Sequence, residues 1–345
     1  MATGKDNTNR GESIVPETIL VLGSNSFSGA HFVAYCMRAG HNVIGASRSP
    51  EPHAVFLPYR TETSLSGTFT FHQLDLNLHS QQLFDLIRQM KPTFVVNFAA
   101  QSMVAESWEN PEQWMMTNVV ATVRLHEQLR TCRFIKTYVH ISTPEVYGTC
   151  AGLVPEHFSY NPSTPYAVSR AAADMSLMSY FRRYAFPVVF TRAANVFGPG
   201  QQLYRIIPRT ILSFLTGQKL PLHGGGHSVR SFIHIGDVCD GTYRAMQQGK
   251  HGTAYHLSTT RNISIRGVVE MLAERLDISF EDAVTITDDR PGKDAAYLLD
   301  SSKARTELAW EPRTTLEDGL DETIRWVEDN LEILKQLPID YIHKP

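Results

Sequence analysis

Long apolar runs are missing from this chain of 345 residues. No stretch approaches the roughly 18 consecutive apolar residues of a spanning helix, so no membrane-crossing segment is expected. A basic excess is missing too. Lys and Arg number 32 against 35 Asp and Glu, a formal net charge of −3, so neither nucleic acid nor an anionic membrane is an expected partner. Any phosphate has to be met by a few placed arginines. Cysteine is scarce: Cys36, Cys132, Cys150 and Cys239 lie far apart, without CxxC or zinc spacing. That argues against a disulfide framework and for reduced thiols in a cytoplasmic protein. His223 and His227 flank three glycines, a hairpin pattern, and no metal is expected. Residues 1–17 are polar, with no apolar h-region, and read as a disordered leader rather than a signal peptide.

What is present is ordinary globular composition, 42% hydrophobic and 19% charged, long enough to bury a sizeable core. Thr18 to Leu22 is a continuous apolar run ending at Gly23, the signature of a central parallel strand buried on both faces. A helix is expected over Gly29 to Arg38. Further strands are expected at Asn42 to Ala46, Phe69 to Leu74, Thr93 to Asn97 and Thr137 to Ser142, with helices at Ser80 to Met90 and Pro111 to Arg130. This succession predicts an α/β fold: a Rossmann doubly wound parallel sheet with right-handed crossovers. Beyond Pro187 the expected strands are Val188 to Thr191 and Ala254 to Ser258, with helices at Pro208 to Thr216, Ile265 to Leu276 and Leu316 to Leu334. The dinucleotide-binding domain is expected at residues 18–193 plus about 232–260. A smaller, mixed but mainly helical C-terminal substrate lobe takes residues 194–231 and 261–335.

Gly23-Ser-Asn-Ser-Phe-Ser-Gly29 stands between the first strand and first helix. Glycines there let backbone approach a pyrophosphate, while the helix N-terminus offers free N–H groups. Gly23, Asn25, Ser26, Phe27 and Gly29 are the candidate contacts, with Ser26 where a third glycine usually stands. The second strand ends Ala46-Ser47-Arg48, without the carboxylate that would bind the ribose of NAD. Ser47 and Arg48 suit a 2′-phosphate, so NADP is the expected cofactor and NAD the alternative. Asp75 and Leu76, after the third strand, are candidates for the adenine.

Thr143 and Glu145 follow a strand and are expected at the carboxyl edge of the sheet. Tyr166 and Arg170, four apart, share one helical face. A cation one turn away makes a phenolate available below the ordinary tyrosine pKa near 10. A phenolate beside a nicotinamide is equipment for removing an alcohol proton while hydride leaves.

With Asn97-Phe-Ala-Ala-Gln-Ser102, Asn118, Ser142-Thr143, Glu145-Val-Tyr-Gly148, Pro165-Tyr166, Arg192 to Pro199, Arg230 to His234 and Asp289 to Asp294, the chain resembles the extended short-chain dehydrogenases/reductases. The nucleotide-sugar 4,6-dehydratases acting on dTDP-glucose or GDP-mannose are the most similar, from about Thr18 to Asn330. The resemblance implies that Tyr166, helped by Arg170 and Thr143, takes the C4 hydroxyl proton while the C4 hydride passes to the cofactor. Glu145 then removes the C5 proton, water leaves from C6, and hydride returns to C6. It further implies that Ala99 contacts the cofactor and that Ser102, Asn195, Arg230 and Arg290 contact the substrate, with Arg209 near the base. It also implies a homodimer through a four-helix interface of the helix bearing Tyr166 and that around Trp114 to Arg130, to which Met175, Met178 and Phe181 could belong.

Two further departures fall beside the chemistry. Pro144 occupies the position where the dTDP-glucose enzymes place a proton-donating aspartate, and Arg170 replaces a lysine. The sequence therefore leaves two alternatives beside the dehydratase: an NDP-sugar 4-epimerase or other 4-keto-forming enzyme, and an NADP-binding module with impaired catalysis.

Overall fold

The computed structural model describes residues 15–150, 152–288 and 298–344. Strands β1 (Thr18–Leu22), β2 (Asn42–Ser47), β3 (Thr68–Gln73), β4 (Phe94–Asn97) and β5 (Thr137–Ile141) join Val188–Ala193 and Thr253–Leu257 in one sheet of seven parallel strands. From one edge the order is β3, β2, β1, β4, β5, Val188–Ala193, Thr253–Leu257. The chain leaves β1 in both directions, so the switch point lies between β1 and β4, where open α/β sheets bind ligands.

β1 sits at the centre because it has nothing polar to expose: Ile19, Leu20, Val21 and Leu22 are all buried. Each such side chain contributes roughly 1.5–3 kcal/mol relative to exposure. The helix Phe27–Arg38 begins two residues earlier than its apolar pattern predicts. Ser26 caps it, its hydroxyl accepting from Gly29 N at 3.1 Å.

Three differences from expectation have physical causes. Glu17, expected in the leader, is anchored: its carboxylate accepts from Thr93 and Lys136, and its N–H donates to His41. Residues 1–14 lie outside the described residues. The helix expected over Pro111 to Arg130 contains a π-helical segment, Met115–Ala121, between α-helical Pro111–Trp114 and Thr122–Leu129. Asn118 lies in that segment, and π-segments recur at functional sites. The last expected helix breaks at Asn330, whose side chain bonds back to Trp326 O, giving Leu316–Asp329 and Leu331–Leu334.

A smaller sheet holds Asn195–Phe197, Val229–His234 and Asn262–Ser264, covered by the helices Ile206–Leu215, Ile265–Arg275 and Leu316–Asp329, whose apolar faces share one core. Among the residues expected at a dimer surface, Met178 is buried and Phe181 packs against the main core. Phe181, four residues on from Leu177, turns inward with it, whereas Met175 is 60% exposed.

Candidate active site

The carboxyl ends of β1, β2 and β4 open into a cavity of about 500 Å³. Gly23, Asn25, Ser26, Ser47, Arg48, Asp75, Leu76 and Ala99 all line it. Gly23 has φ +77°, and a Cβ there would come within 2.7 Å of Ala99 N. One on Gly29 would fall 2.2 Å from Gly23 O. Only glycine lets the turn lie against the neighbouring loop and the helix against the turn. Asn25 N donates to Ser47 Oγ at 3.0 Å and Asn25 Nδ2 to Ser49 O at 3.0 Å, joining the first turn to the end of β2. Glycine turn, helix start and cavity together fit a dinucleotide.

Two cofactor candidates are placed differently from expectation. The Phe27 ring is in the core, with its edge toward His31, because it opens the buried face of the helix; only its backbone remains toward the turn. Asp75 lines the cavity, but its carboxylate accepts from Asn77 N and Leu78 N and is held in its own turn.

The second group lies at the end of β5 and the start of the helix Pro165–Tyr184. Thr143 caps the short turn Pro144–Tyr147, its Oγ1 accepting from Glu145 N at 3.4 Å, and it also hydrogen-bonds the Tyr166 phenol. Pro144 fits because a first turn needs no N–H from that residue. Behind this corner Ser142 Oγ donates to Asp174 at 2.6 Å, and Arg192 meets the same wholly buried carboxylate at 2.9 Å. Two more phenols, Tyr147 and Tyr160, bond to the Arg192 guanidinium.

Tyr166 does not have the lowered pKa that the Tyr–Arg spacing predicts. Burial raises it first and the Glu145 carboxylate raises it further; Arg170 and the Thr143 hydrogen bond pull it down without prevailing. Arg170 is itself 2% exposed, and its guanidinium is bound to Ile141 O and, at 3.3 Å, to His140 Nε2. Burial and then Arg170 hold His140 far below its ordinary pKa, so a neutral ring nitrogen accepts.

Asn118 ties the two groups together. Its Oδ1 accepts from Gln101 N at 2.8 Å, and its Nδ2 donates to Gln101 O and to Ser169 Oγ on the helix bearing Tyr166. Arg205, which the sequence reading passed over, caps the helix Ile206–Leu215 and lies near enough to Tyr166 to favour its phenolate. Arg209, one turn on, pairs with Asp340 of the cavity wall at 2.9 Å. In the sequence the signal for Arg205 is the pair Tyr204-Arg205 just ahead of the apolar helix. Of the other substrate candidates, Ser102 is exposed after β4, Asn195 and Arg230 lie half-buried in the smaller sheet, and Arg290 is outside the described residues.

The model of the GDP-mannose 4,6 dehydratase family matches residues 20–323. The dTDP-glucose 4,6-dehydratase of Streptomyces antibioticus is 33% identical over 331 residues, covering 93% of this chain and 96% of that protein. A trifunctional UDP-glucose 4,6-dehydratase/UDP-4-keto-6-deoxy-D-glucose 3,5-epimerase/UDP-4-keto-L-rhamnose-reductase of Arabidopsis thaliana is 31% identical over 324 residues, 93% of this chain. The match spans 48% of that longer protein. Among solved structures, the dTDP-glucose 4,6-dehydratase DesIV of Streptomyces venezuelae, with NAD bound, matches with a TM-score of 0.84 at 30% identity, covering 92% of this chain and 98% of that one.

Proposed function

Since the chain belongs to the GDP-mannose 4,6 dehydratase family, we propose that it is an NAD(P)-dependent 4,6-dehydratase that turns a nucleoside-diphosphate hexose into its 4-keto-6-deoxy derivative. The observation that carries this is the meeting of Thr143, Glu145 and Tyr166 in one site, in a chain whose first turn and sheet edge open into a cavity fit for a dinucleotide.

Gly23, Asn25, Ser26, Ser47, Arg48 and Ala99 would hold the dinucleotide, which would supply the hydride acceptor for C4 and the hydride donor for C6. Tyr166 receives the C4 hydroxyl proton, and Thr143 supports the phenolate by hydrogen bonding to it. The resulting 4-keto group acidifies C5, and Glu145 takes that proton. Pro144 has none to give, so Glu145 hands the proton it has gained to the departing C6 hydroxyl, which leaves as water. A solvent proton then returns to C5 through the same carboxylate. The carboxylate beside the oxidation site is what separates this chemistry from 4-epimerisation, which leaves C5 untouched. Arg205 and Arg230 are assigned to the diphosphate, where guanidinium groups pair with phosphate oxygens.

NADP is the assigned cofactor, supported by Ser47 and Arg48 on the cavity wall. Among the described residues, the two carboxylates that line the cavity are engaged, Asp75 in its turn and Asp340 with Arg209. A cytoplasmic homodimer is assigned as well. Its four-helix interface is supported by Met116, Val168 and Met175, exposed on the two helical segments concerned.

Incubation with dTDP-, UDP-, GDP- and CDP-hexoses in turn, read by mass spectrometry, tests the reading. One of them should lose the mass of a water. An isomer of unchanged mass would make the enzyme an epimerase. NADP binding without turnover of any sugar nucleotide would make it a module.

A further inference from the structure

The family match ends at residue 323, yet the chain beyond it returns to the cofactor cavity. Leu337, Pro338, Asp340, Tyr341, Ile342 and Lys344 all form part of the cavity wall, opposite the sheet's own contributions. This segment is held at four points. Asp340 pairs with Arg209, and the Tyr341 ring stands edge-on to Tyr204 at 5.3 Å. His343 stacks on Trp114 at 5.4 Å and 4°, and its Nε2 lies 2.6 Å from Gln113 Oε1. Lys344 O accepts from Nε2 of Gln101, a side chain only 2% exposed, at 2.8 Å.

The last clasp has a consequence for charge. Gln101 Oε1 accepts from Arg48 at 3.4 Å while its Nε2 holds the Lys344 backbone, so one buried amide ties the two cations to each other. The Lys344 ammonium then reaches Ser49 Oγ at 3.3 Å. Ser47, Arg48, Ser49 and Lys344 all line the cavity at the end of β2. In doubly wound folds the end of the second strand meets the adenosine ribose and decides between a hydroxyl and a phosphate there. Two hydroxyls and two cations, with no carboxylate among them, form a receptor for an anion.

We propose that residues 337–344 complete the adenosine end of the dinucleotide site, with Lys344 as the second cation, beside Arg48, for a 2′-phosphate. Cofactor choice is thus written partly at β2 and partly about three hundred residues later, in a segment outside the family match. This rests on the NADP reading above and adds to it a residue and a strap.

Equilibrium titration of nucleotide-free full-length protein with NADP and with NAD tests it, without reference to turnover. Lys344 is exposed, so Lys344→Gln should leave thermal unfolding unchanged. It should weaken NADP binding about fivefold, the loss of one partly screened charge pair, and leave NAD within twofold. Lys344→Arg should restore NADP binding. Equal losses for both cofactors, or none for either, would overturn the assignment of Lys344. If Arg48→Ala still lost NADP selectively in that case, the NADP reading would stand without the strap. A wild-type protein that did not prefer NADP, with Arg48→Ala silent, would remove both.

Discussion

Arg170 binds the carbonyl of Ile141, the last residue of β5, with the same guanidinium that faces His140. The cation one turn from Tyr166 is therefore also a clamp on the strand end that presents Thr143. Its Nε, buried, has no hydrogen-bond partner among the described residues. A lysine there keeps the charge but not the planar fork.

Losing that clamp should cost both rate and the position of the acid limb. Arg170→Met removes a charge that favours the Tyr166 phenolate and leaves Ile141 O unpaired. The rate should fall at least about tenfold, equivalent to about 1.4 kcal/mol in the barrier, and the acid limb of the pH–rate profile should move to higher pH. Arg170→Lys should keep the limb near its wild-type position while losing part of the rate. Identical profiles for the two variants would show that the charge does not matter.

Glu145 raises the Tyr166 pKa and is assigned the C5 proton. In Glu145→Gln, oxidation at C4 should continue while elimination stops, so the near-ultraviolet absorbance of reduced nicotinamide should build up after substrate is added. Because a negative charge has gone, the acid limb of the oxidation step should move to lower pH. Solvent deuterium entering C5 at the wild-type rate would take Glu145 out of its role.

Thr143 acts in the opposite direction, since its hydrogen bond lowers the Tyr166 pKa. Thr143→Val should move the acid limb upward and slow turnover about 10- to 100-fold. A rate loss with an unmoved limb would make Thr143 a contact for substrate alone.

Stability should depend on pH through His126 and His256, both wholly buried. Desolvation by burial holds them at about 4 and about 3 against 6.5. In the window below 6.5 the unfolded chain binds protons that the folded chain refuses, so stability falls as pH falls and is flat above it. The slope approaches about 1.4 kcal/mol per pH unit for each histidine. Denaturant melts from pH 7 to pH 4 check this, and His126→Gln should flatten the decline.

The sheet was legible because β1 to β5 are short apolar runs closed by turn residues, a pattern set by burial alone. The turn at Gly23 and the trio Thr143, Glu145 and Tyr166 were legible because close approach and proton transfer each demand particular residue types. The strap was not. Residues 337–344 carry no periodicity, and their partners Gln101, Gln113, Trp114 and Tyr204 are more than one hundred positions away. Arg205 and Arg209 look alike in sequence; only the folded chain shows that the charge of Arg205 acts on Tyr166 while Arg209 pairs with Asp340. The π-segment at Asn118 had no local signal either, since its bonds run to Gln101 and Ser169.

The most direct measurement follows one hydrogen. A nucleoside-diphosphate hexose that the enzyme accepts, carrying deuterium at C4, is converted and its product examined by NMR. A 4,6-dehydratase should leave deuterium in the new C6 methyl group of a 4-keto sugar. Deuterium still at C4 of an isomerised sugar, or absent from C6 of the product, would contradict it.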